Sequence, residues 1–261
     1  MRKLNLDDAL FFKLMGYGLP GSGKTRFCGS AAMDDRTAPV LHIDAAGNPL
    51  VLRKNEARPD ILRLTNLKEL NHIYTFLAQG QDASHPLVRE HGLRTDYKSV
   101  VFDGVTEIQR FGFGQLTGSE RLGPGEMPKG VEIQQFGSSL RMMTNFAQKF
   151  FELDMHVFIT ALEREDQDNT TGMISYKPLL SGQTAGEVPG YAYVLARFAH
   201  VGRVQRRDLK DVNSTLADVA DSTNIMFLKP TERIMAKDQL GIGSDYMFDP
   251  TVTKVFDALG W

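Results

Sequence analysis

The sequence is poor in cysteine, in net charge and in long apolar runs. Cys28 is its single cysteine, so no intramolecular disulfide can form, as is usual in a reducing compartment. No apolar stretch approaches the ~18 residues that a membrane-spanning helix needs. Asp7 and Asp8 stand where a signal peptide would be apolar. We therefore expect a soluble protein of the cytoplasm, or of the host cytoplasm if it is viral, without a membrane partner.

One segment, residues 18–25, matches the phosphate-binding loop pattern G-x-x-x-x-G-K-[ST] without a gap. An apolar run at 9–15 enters it, and a helix-compatible stretch at 24–33 leaves it. This order directs backbone N–H groups and a helix dipole at one point, where a phosphate group binds. We expect Lys24 to reach the β- and γ-phosphates and Thr25 to bind Mg²⁺. The predicted nucleotide-binding residues are Gly18, Leu19, Pro20, Gly21, Ser22, Gly23, Lys24, Thr25 and Arg26.

Apolar runs and amphipathic stretches alternate along the chain, which predicts an α/β fold with helices on both faces of a mostly parallel, twisted sheet. The predicted strands are 39–44, 61–64, 99–103 and 156–160, with a β-rich C-terminal part at 198–204, 225–228 and 233–237. The predicted helices are 67–78, 140–151 and 191–197, and the predicted loops are 80–97, the glycine-rich 112–130 and the polar 163–187. With no repeat and no clear linker, we expect residues 1–261 to form a single domain.

Two predicted strands end in residues that would complete a nucleotide site. Strand 99–103 ends in Asp103, whose carboxylate we expect to hold Mg²⁺ through water; an N-cap role in the next helix is compatible with this. Strand 156–160 ends in Thr160, which is either a γ-phosphate sensor or a plain strand-terminal threonine. The sequence has no Asn-Lys-x-Asp motif for reading guanine, so ATP is preferred to GTP.

The order of these segments resembles the RecA-like ATPase superfamily, and within it the small core-only ATPases of bacteriophages, some described as ATP-dependent single-strand annealing proteins. The resemblance is carried by the segments 18–25, 42–49, 100–107, 157–161 and 234–238, of which the first and third are specific. It implies a RecA-like P-loop fold in which the loops after Asp103 and Thr160 face DNA. It also implies that Lys237 reaches the nucleotide of a neighbouring subunit, as an arginine finger does.

One position departs from the pattern of that family. The family places a water-activating glutamate shortly after the acid of the second strand, whereas here Ala46 follows Asp44. A methyl group can neither accept a proton nor orient a water molecule. Either Asp44 or Glu107 substitutes for the glutamate, or hydrolysis is slow and ATP acts mainly as a binding switch.

Two predicted loops carry cations and aromatic rings, the combination by which single-stranded DNA is bound. The candidates are Arg110, Phe113, Arg121 and Lys129 in the first loop, and Arg164 and Lys177 in the second. The acids that oppose the second set are Glu163, Glu165, Asp166 and Asp168. Because the formal net charge is −2, local groups of this kind would have to supply the attraction to nucleic acid.

Together with the resemblance, these residues predict a DNA-dependent ATPase that uses ATP and Mg²⁺ in DNA recombination or single-strand annealing. The predicted partners are single-stranded DNA, further copies of the chain assembled head to tail with ATP at the interface, and a single-strand-binding protein. Two alternatives stay open: a P-loop kinase or nucleotide-gated regulator without DNA binding, and an ATP-binding module with little turnover.

Overall fold

Strands and helices alternate along much of the chain, as the sequence pattern predicted. The computed structural model describes residues 11–47, 49–118, 133–204 and 220–261. The strands in these ranges are β1 (Lys13–Gly18), β2 (Val40–Asp44), β3 (Asp60–Arg63), β4 (Ser99–Asp103), β5 (His156–Gln167), β6 (Ile174–Pro178), β7 (Val194–His200), β8 (Asn224–Phe227), β9 (Lys237–Asp238) and β10 (Tyr246–Phe248). The helices are α1 (Lys24–Gly29), α2 (Lys68–Ala78), α3 (Pro86–His91), α4 (Val105–Thr117), α5 (Ile133–Phe151), α6 (Thr184–Glu187) and α7 (Val252–Ala258).

The strands of the described residues form a sheet whose central neighbours run parallel. Its order is β10-β8-β7-β1-β5-β4-β2-β3, with β6 paired to β5 and β9 paired to β7. Strands β7, β1, β5, β4, β2 and β3 pair parallel to one another in that order. Strands β8, β9 and β10 pair antiparallel beside β7. The predicted α/β fold, with a mostly parallel sheet and a β-rich C-terminal part, is confirmed.

Helices cover both faces of the sheet, because successive side chains of a strand point to opposite faces and both sets are apolar here. Helices α2, α4 and α5 cover one face, where the rings of Phe102 and Phe150 lie 4.4 Å apart. Helices α1 and α7 cover the other, where Phe27 packs on Phe198 at 5.2 Å. Because the six central strands run parallel, their carboxyl ends meet at one edge of the sheet. Ligands bind at this edge in sheets of this kind.

Several elements agree closely with their prediction. Strands β2, β3 and β4 and helix α2 lie within one residue of the predicted bounds, and the apolar stripe predicted at 140–151 lies on α5. The predicted strand 9–15 begins later, at Lys13, and residues 9 and 10 lie outside the described ranges. The predicted helix 24–33 is divided into α1 and a 3₁₀ turn over Ser30–Met33.

The prediction of a glycine-rich loop over 112–130 is wrong for its first residues. Helix α4 continues to Thr117 and includes Gly112 and Gly114. A Cβ atom on Gly112 would lie 2.0 Å from the Cε atom at the end of the Met142 side chain, so α4 and α5 are in close contact at this glycine. The glycine marks close helix packing, not a turn. Residues 119–132 lie outside the described ranges.

Two predictions in the second half of the chain are also wrong. The polar loop predicted at 163–187 contains an antiparallel hairpin, in which β5 runs on to Gln167 and returns as β6. The helix predicted at 191–197 is largely strand β7, which lies in the middle of the sheet beside β1. A short apolar run such as 194–199 fits a buried strand and a buried helix equally well. Helices α3 and α7 were not predicted.

Among the described residues, no helix has both the length and the apolar character that crossing a bilayer would require. The organisation of residues 1–261 as a single domain stays a prediction.

Candidate nucleotide-binding site

The segment 18–25 connects β1 to α1 and has the backbone geometry that phosphate binding needs. Gly21 has φ 79° and Gly23 has φ 95°, both in the left-handed region that glycine adopts without strain. A Cβ atom on Gly18 would lie 2.2 Å from the main-chain oxygen of Phe198 on β7, so only glycine fits there. The loop and the first turn of α1 thus present their N–H groups at the carboxyl edge of the sheet.

Lys24 lies at the start of α1 and is only 8% exposed. Its Nζ donates hydrogen bonds to the main-chain oxygens of Gly18 at 2.8 Å and Leu19 at 2.9 Å, and to Ser22 Oγ at 3.3 Å. Burial lowers the pKa of Lys24, and the nearby carboxylates of Asp103 and other acids oppose that effect. The ammonium group is therefore held over the loop by hydrogen bonds to main-chain oxygens, which phosphate oxygens can replace.

Strand register brings the predicted acids and the threonine into one row. Asp44 of β2 lies beside Asp103 of β4, Asp103 lies beside Thr160 of β5, and Thr160 lies beside Gly16 of β1. This row is two residues before the end of β1, where the phosphate loop begins. The structure therefore places Lys24, Asp103, Asp44 and Thr160 around one edge.

Asp103 is buried and accepts two short hydrogen bonds. Thr25 Oγ1 donates to Oδ2 at 2.7 Å, and Thr160 Oγ1 donates to Oδ1 at 2.5 Å. The Gly104 N–H donates to Thr160 Oγ1 at 2.9 Å and fixes the direction of that hydroxyl. Burial alone would raise the pKa of Asp103, but the interactions with His42, Thr160 and Thr25 offset it, so the pKa lies below its usual value.

His42 lies on β2, and its Nε2 is 3.5 Å from Asp103 Oδ2, too far for a good hydrogen bond but close enough for an electrostatic contact. The sequence did not mark this residue as part of the site.

The donor set of Thr25 and Asp103 fits a magnesium ion. One hydroxyl and one carboxylate are oxygen ligands, and Mg²⁺ is commonly bound by one or two carboxylates together with substrate phosphates and water. In the described ranges, no group of three or more His, Cys, Asp or Glu side chains could hold a metal ion. These two residues are the ones that would hold Mg²⁺ here.

Asp44 has partners on both carboxylate oxygens. The Gly47 N–H donates to Oδ1 at 2.7 Å, and Arg63 Nη1 lies 2.5 Å from Oδ2. Glu107, in the first turn of α4, is paired with Arg110 one turn later, with 3.0 Å between Arg110 Nη1 and Glu107 Oε1. Burial raises the pKa of Glu107, which Arg110 opposes. Both candidates for the missing glutamate therefore lie near the row.

A cavity of ≈ 530 Å³ opens beside α1 and continues from the phosphate loop. Its lining includes Gly23, Arg26, Lys54, Asn224 and Asp249. Asn224 Oδ1 is buried and has no hydrogen-bond partner in the described part of the chain. This oxygen would lie 2.9 Å from a Cβ atom on Gly23, so it is directly beside the loop. Gly23 and Arg26 were predicted, whereas Asn224 and Asp249 were missed because they are about 200 residues from the loop and belong to no motif.

Glu163 and Arg197 form a buried ion pair next to the loop. Arg197 Nε lies 2.7 Å from Glu163 Oε2, and the guanidinium carbon is 3.5 Å from the centre of the Tyr176 ring. These residues line a small pocket with Pro20 and Ser22. Because its charge is paired and buried, Glu163 does not oppose DNA binding in the way that the sequence suggested.

The predicted nucleic-acid residues have different surroundings. Phe113 is fully buried and packs against Phe136 at 5.4 Å, so the prediction that its ring stacks on bases is wrong. Arg110 is engaged with Glu107. Arg121 and Lys129 lie outside the described residues.

Arg164 and Lys177 face each other across the β5–β6 hairpin, and both are paired with Asp166. The hydrogen bond from Lys177 is the main cause that lowers the pKa of this carboxyl. As a result, part of the positive charge of the hairpin is neutralised within it.

Lys237 does not reach the site of its own chain. It lies on β9 opposite Leu195, three residues or about 10 Å along β7 from Phe198, the neighbour of Gly18. Its Nζ donates to the Gly190 main-chain oxygen at 3.0 Å. A role across a subunit interface stays a prediction.

The loop, the row and the parallel sheet together define a nucleotide-binding protein of the P-loop class. A family model described as an AAA domain matches residues 11–240, and the chain belongs to this family. The match and the sheet confirm the RecA-like P-loop ATPase predicted from the sequence.

One solved structure similar to this chain is that of the RadB recombinase, with 11% identity and a TM-score of 0.42, covering 82% of this chain and 79% of that one. At these values the similarity carries no argument about function. The search of curated proteins gave no match.

Proposed function

We propose that this chain binds MgATP at the phosphate loop and hydrolyses it. The observation that carries the proposal is the pair of hydrogen bonds from Thr25 and Thr160 to the Asp103 carboxylate, at the edge where Lys24 lies. This arrangement provides oxygen ligands for Mg²⁺ and a cation for phosphate before any ligand binds, so little has to be reorganised.

The chemistry follows from the charges of these groups. Bound Mg²⁺ would neutralise part of the charge on the β- and γ-phosphates. The Lys24 ammonium and the loop N–H groups would stabilise the negative charge on the equatorial oxygens of the γ-phosphoryl group as the bond to ADP breaks. Thr160, fixed by the Gly104 N–H, would hold the Asp103 carboxylate in the orientation that the ion needs.

The nucleoside is proposed to occupy the cavity lined by Arg26, Asn224 and Asp249. The support is its continuity with Gly23 and the unpartnered Asn224 Oδ1. An acceptor in this position can take a hydrogen bond from a donor of the nucleoside, such as the exocyclic amino group of adenine.

Calorimetry with MgATP and MgGTP tests both statements. We expect the wild-type chain to bind MgATP more tightly than MgGTP, and Asn224→Leu to weaken MgATP binding about tenfold, the size of one lost hydrogen bond to a buried group. Absence of heat with MgATP would contradict the proposed function. Unchanged MgATP affinity in Asn224→Leu would contradict the role of Asn224 alone, and equal affinity of the wild-type chain for the two nucleotides would contradict the preference for ATP.

We further propose that single-stranded DNA stimulates this ATPase in recombination or annealing. The resemblance of the sequence motifs supports this, and so does the path of the chain: β5 carries Thr160 at the site and then continues directly into the hairpin with Arg164 and Lys177. A rigid strand connects the two places.

DNA binding is measured by fluorescence anisotropy with a labelled oligonucleotide at two salt concentrations. We expect the double variant Arg164→Ala/Lys177→Ala to weaken binding and to flatten its salt dependence, because fewer phosphates are neutralised. Lys229→Ala is the matched control, since Lys229 is also an exposed lysine paired with an aspartate, Asp245. An unchanged salt slope in the double variant would remove the hairpin from the DNA interface.

Head-to-tail assembly with ATP at the interface is proposed on the resemblance and on the distance of Lys237 from its own site. If Lys237 acts on the neighbouring nucleotide, mixing Lys24→Met chains with Lys237→Ala chains restores part of the turnover that each lacks alone. No restoration, with both variants still co-eluting in gel filtration, would contradict the interface role.

The methyl group of Ala46 favours a second candidate function, an ATP-binding module with little turnover. The two are separated by measuring phosphate release at saturating MgATP, with and without single-stranded DNA. Binding without release under both conditions would support the second candidate.

A further inference from the structure

The position of Ala46 is well defined although its side chain carries no chemistry. Its N–H donates to the main-chain oxygen of Asp103 at 3.1 Å, and the N–H of Ala45 donates to the same oxygen at 2.9 Å. The turn after β2 is therefore fixed against the end of β4. A side chain longer than a methyl group at residue 46 would extend from a rigid point next to Asp103.

The Glu107 carboxylate occupies the neighbourhood of that methyl group. Helix α4 begins after Gly104, whose φ of 104° turns the chain sharply. A Cβ atom on Gly104 would lie 3.0 Å from Ala46 Cβ and 3.0 Å from Glu107 Oε2. The Ala46 methyl group and Glu107 Oε2 therefore both lie next to the same position beside Gly104. Glu107, in the first turn of α4, thus supplies a carboxylate in the space where residue 46 supplies none.

The two oxygens of Glu107 have different surroundings. Oε1 accepts the hydrogen bond from Arg110, whereas Oε2 is the oxygen that lies beside Ala46. The side chain is 21% exposed, so water can reach it. Burial raises its pKa, as does the charge of Asp103, while Arg110 and Lys24 lower it. An oxygen that Arg110 does not occupy, on a carboxyl whose pKa is raised, is suited to accept a proton.

Asp44, the other candidate, is arranged differently. One of its oxygens accepts the Gly47 N–H and the other is paired with Arg63. Both oxygens are thus used by the fold itself. The geometry favours Glu107.

We propose that Glu107 is the residue that activates the attacking water, in place of the glutamate that Ala46 replaces, and that Arg110 positions it. This inference rests on the proposed ATPase function. In the step, the water oxygen forms a bond to the γ-phosphorus while the bond from that phosphorus to the β–γ bridging oxygen breaks. The bridging oxygen leaves with the electron pair as part of ADP. One water proton passes to Glu107 Oε2 and is then released to phosphate or solvent.

The main test is Glu107→Gln, which keeps the shape of the side chain and removes its basicity. We expect turnover to fall about 100-fold, while the dissociation constant for MgATP, measured by calorimetry, stays within about twofold of wild type. Glu90→Gln is the matched control, because Glu90 is an exposed glutamate on the short helix α3 and its substitution should change neither quantity.

The rescue variant is Glu107→Gln/Ala46→Glu, which returns a carboxylate from the other side of the same space. We expect it to recover at least about tenfold of the lost turnover. For Arg110, a double-mutant cycle is the readout: Arg110→Ala should lower turnover in the wild-type background and have no further effect in the Glu107→Gln background, because a positioning residue acts only through the group it positions.

The outcomes separate this inference from the proposed function. Wild-type chains that hydrolyse MgATP, together with a Glu107→Gln variant that does so equally fast, would overturn the inference and leave the ATPase function standing. The inference is also overturned if Asp44→Asn removes turnover and Glu107→Gln does not, or if Glu107→Gln loses affinity as much as turnover. Wild-type chains that bind MgATP without hydrolysing it would overturn both.

Discussion

Buried polar side chains lie at both ends of the parallel strands, but their partners differ. At the carboxyl edge, the Asp103 oxygens are held by the hydroxyl groups of Thr25 and Thr160, and the Lys24 ammonium rests on loop oxygens. At the amino edge, the polar groups are used by the main chain. The Lys13 Nζ donates to the oxygens of residues 153 and 155, and Ser99 Oγ donates to the oxygen of residue 37.

The difference lies in what each set can still bind. The hydroxyl and ammonium groups of the carboxyl edge lie beside the phosphate loop, where they can exchange partners for a ligand, whereas the main-chain oxygens of the amino edge lose a buried hydrogen bond when the side chain that serves them is removed. Burial of a polar side chain therefore does not by itself mark a functional site. The carboxyl edge is expected to govern nucleotide chemistry, and the amino edge to govern folding.

Asp103→Asn should show the largest difference between an effect on turnover and an effect on the free energy of unfolding. Loss of the carboxylate removes the charged ligand for Mg²⁺, so we expect turnover to fall on the order of 1,000-fold. The free energy of unfolding should change little, because the amide keeps one acceptor oxygen and no longer opposes burial with a charge. Steady-state phosphate release and urea unfolding measure the two quantities. A large loss of stability would place Asp103 with the structural residues.

Two buried lysines allow a matched comparison, since each can be changed to methionine. We expect Lys24→Met to weaken MgATP binding roughly 100-fold, because charge-assisted hydrogen bonds to phosphate are lost, while Lys13→Met leaves the affinity within about twofold. Calorimetry on both variants checks this. If the two substitutions weaken nucleotide binding equally, the distinction between the edges is wrong.

His156 at the amino edge predicts a pH dependence of stability. Burial, with a smaller contribution from Lys13, lowers its pKa from 6.5 to about 4, and its Nδ1 accepts the Phe12 N–H at 3.0 Å. Between these two values the unfolded chain binds the proton and the folded chain does not, so stability falls as the pH decreases through this window. Between pH 7 and pH 5 the loss from this group is about 2 kcal/mol.

His156→Asn keeps an acceptor for the Phe12 N–H but cannot titrate. Urea unfolding at pH 7 and pH 5 should therefore show a smaller loss of stability in this variant than in the wild type. Equal losses in both would mean that His156 is not kept neutral by the fold.

Ser99→Ala should give the smallest effect. It leaves the main-chain oxygen of Thr37 without its buried donor, at a cost of about 1 kcal/mol, and MgATP binding should not change. Ser138→Ala is the control, because the Ser138 hydroxyl donates to a carbonyl on the exposed side of α5. If Ser99→Ala changed the affinity for MgATP, residues of the amino edge would also govern nucleotide binding, and the distinction between the two edges would be wrong.

The sequence was sufficient where local pattern and topology act together. Residues 18–25 form a contiguous motif, and Asp103 and Thr160 each end an apolar run. Parallel strands then bring such ends to one edge without further information. The pairing of Asp103 with Asp44 and Thr160 follows from that register, and so the row could be anticipated from the chain alone.

Other parts of the site depend on contacts that no local pattern contains. Asn224 is the first residue of strand β8, which lies about 200 residues after the loop in the sequence. Its pairing with β7 brings it beside the loop. Phe113 looks like a stacking residue in a glycine-rich segment, but Gly112 serves helix packing and the ring turns inward. The hairpin at 163–178 was missed because its charged residues, which make the segment look like a polar loop, pair with one another across two partly buried strands.

Helix α4 starts one residue after Gly104 and runs without interruption to Thr117. A helix of this length is a stiff rod of about 20 Å, and its tight seat against Met142 at Gly112 restricts sliding. If the end of α4 that carries Glu107 tilts, the other end of the same helix must therefore move as well. The position of Glu107 beside the phosphate loop is thus tied to the position of Thr117 by one continuous helix.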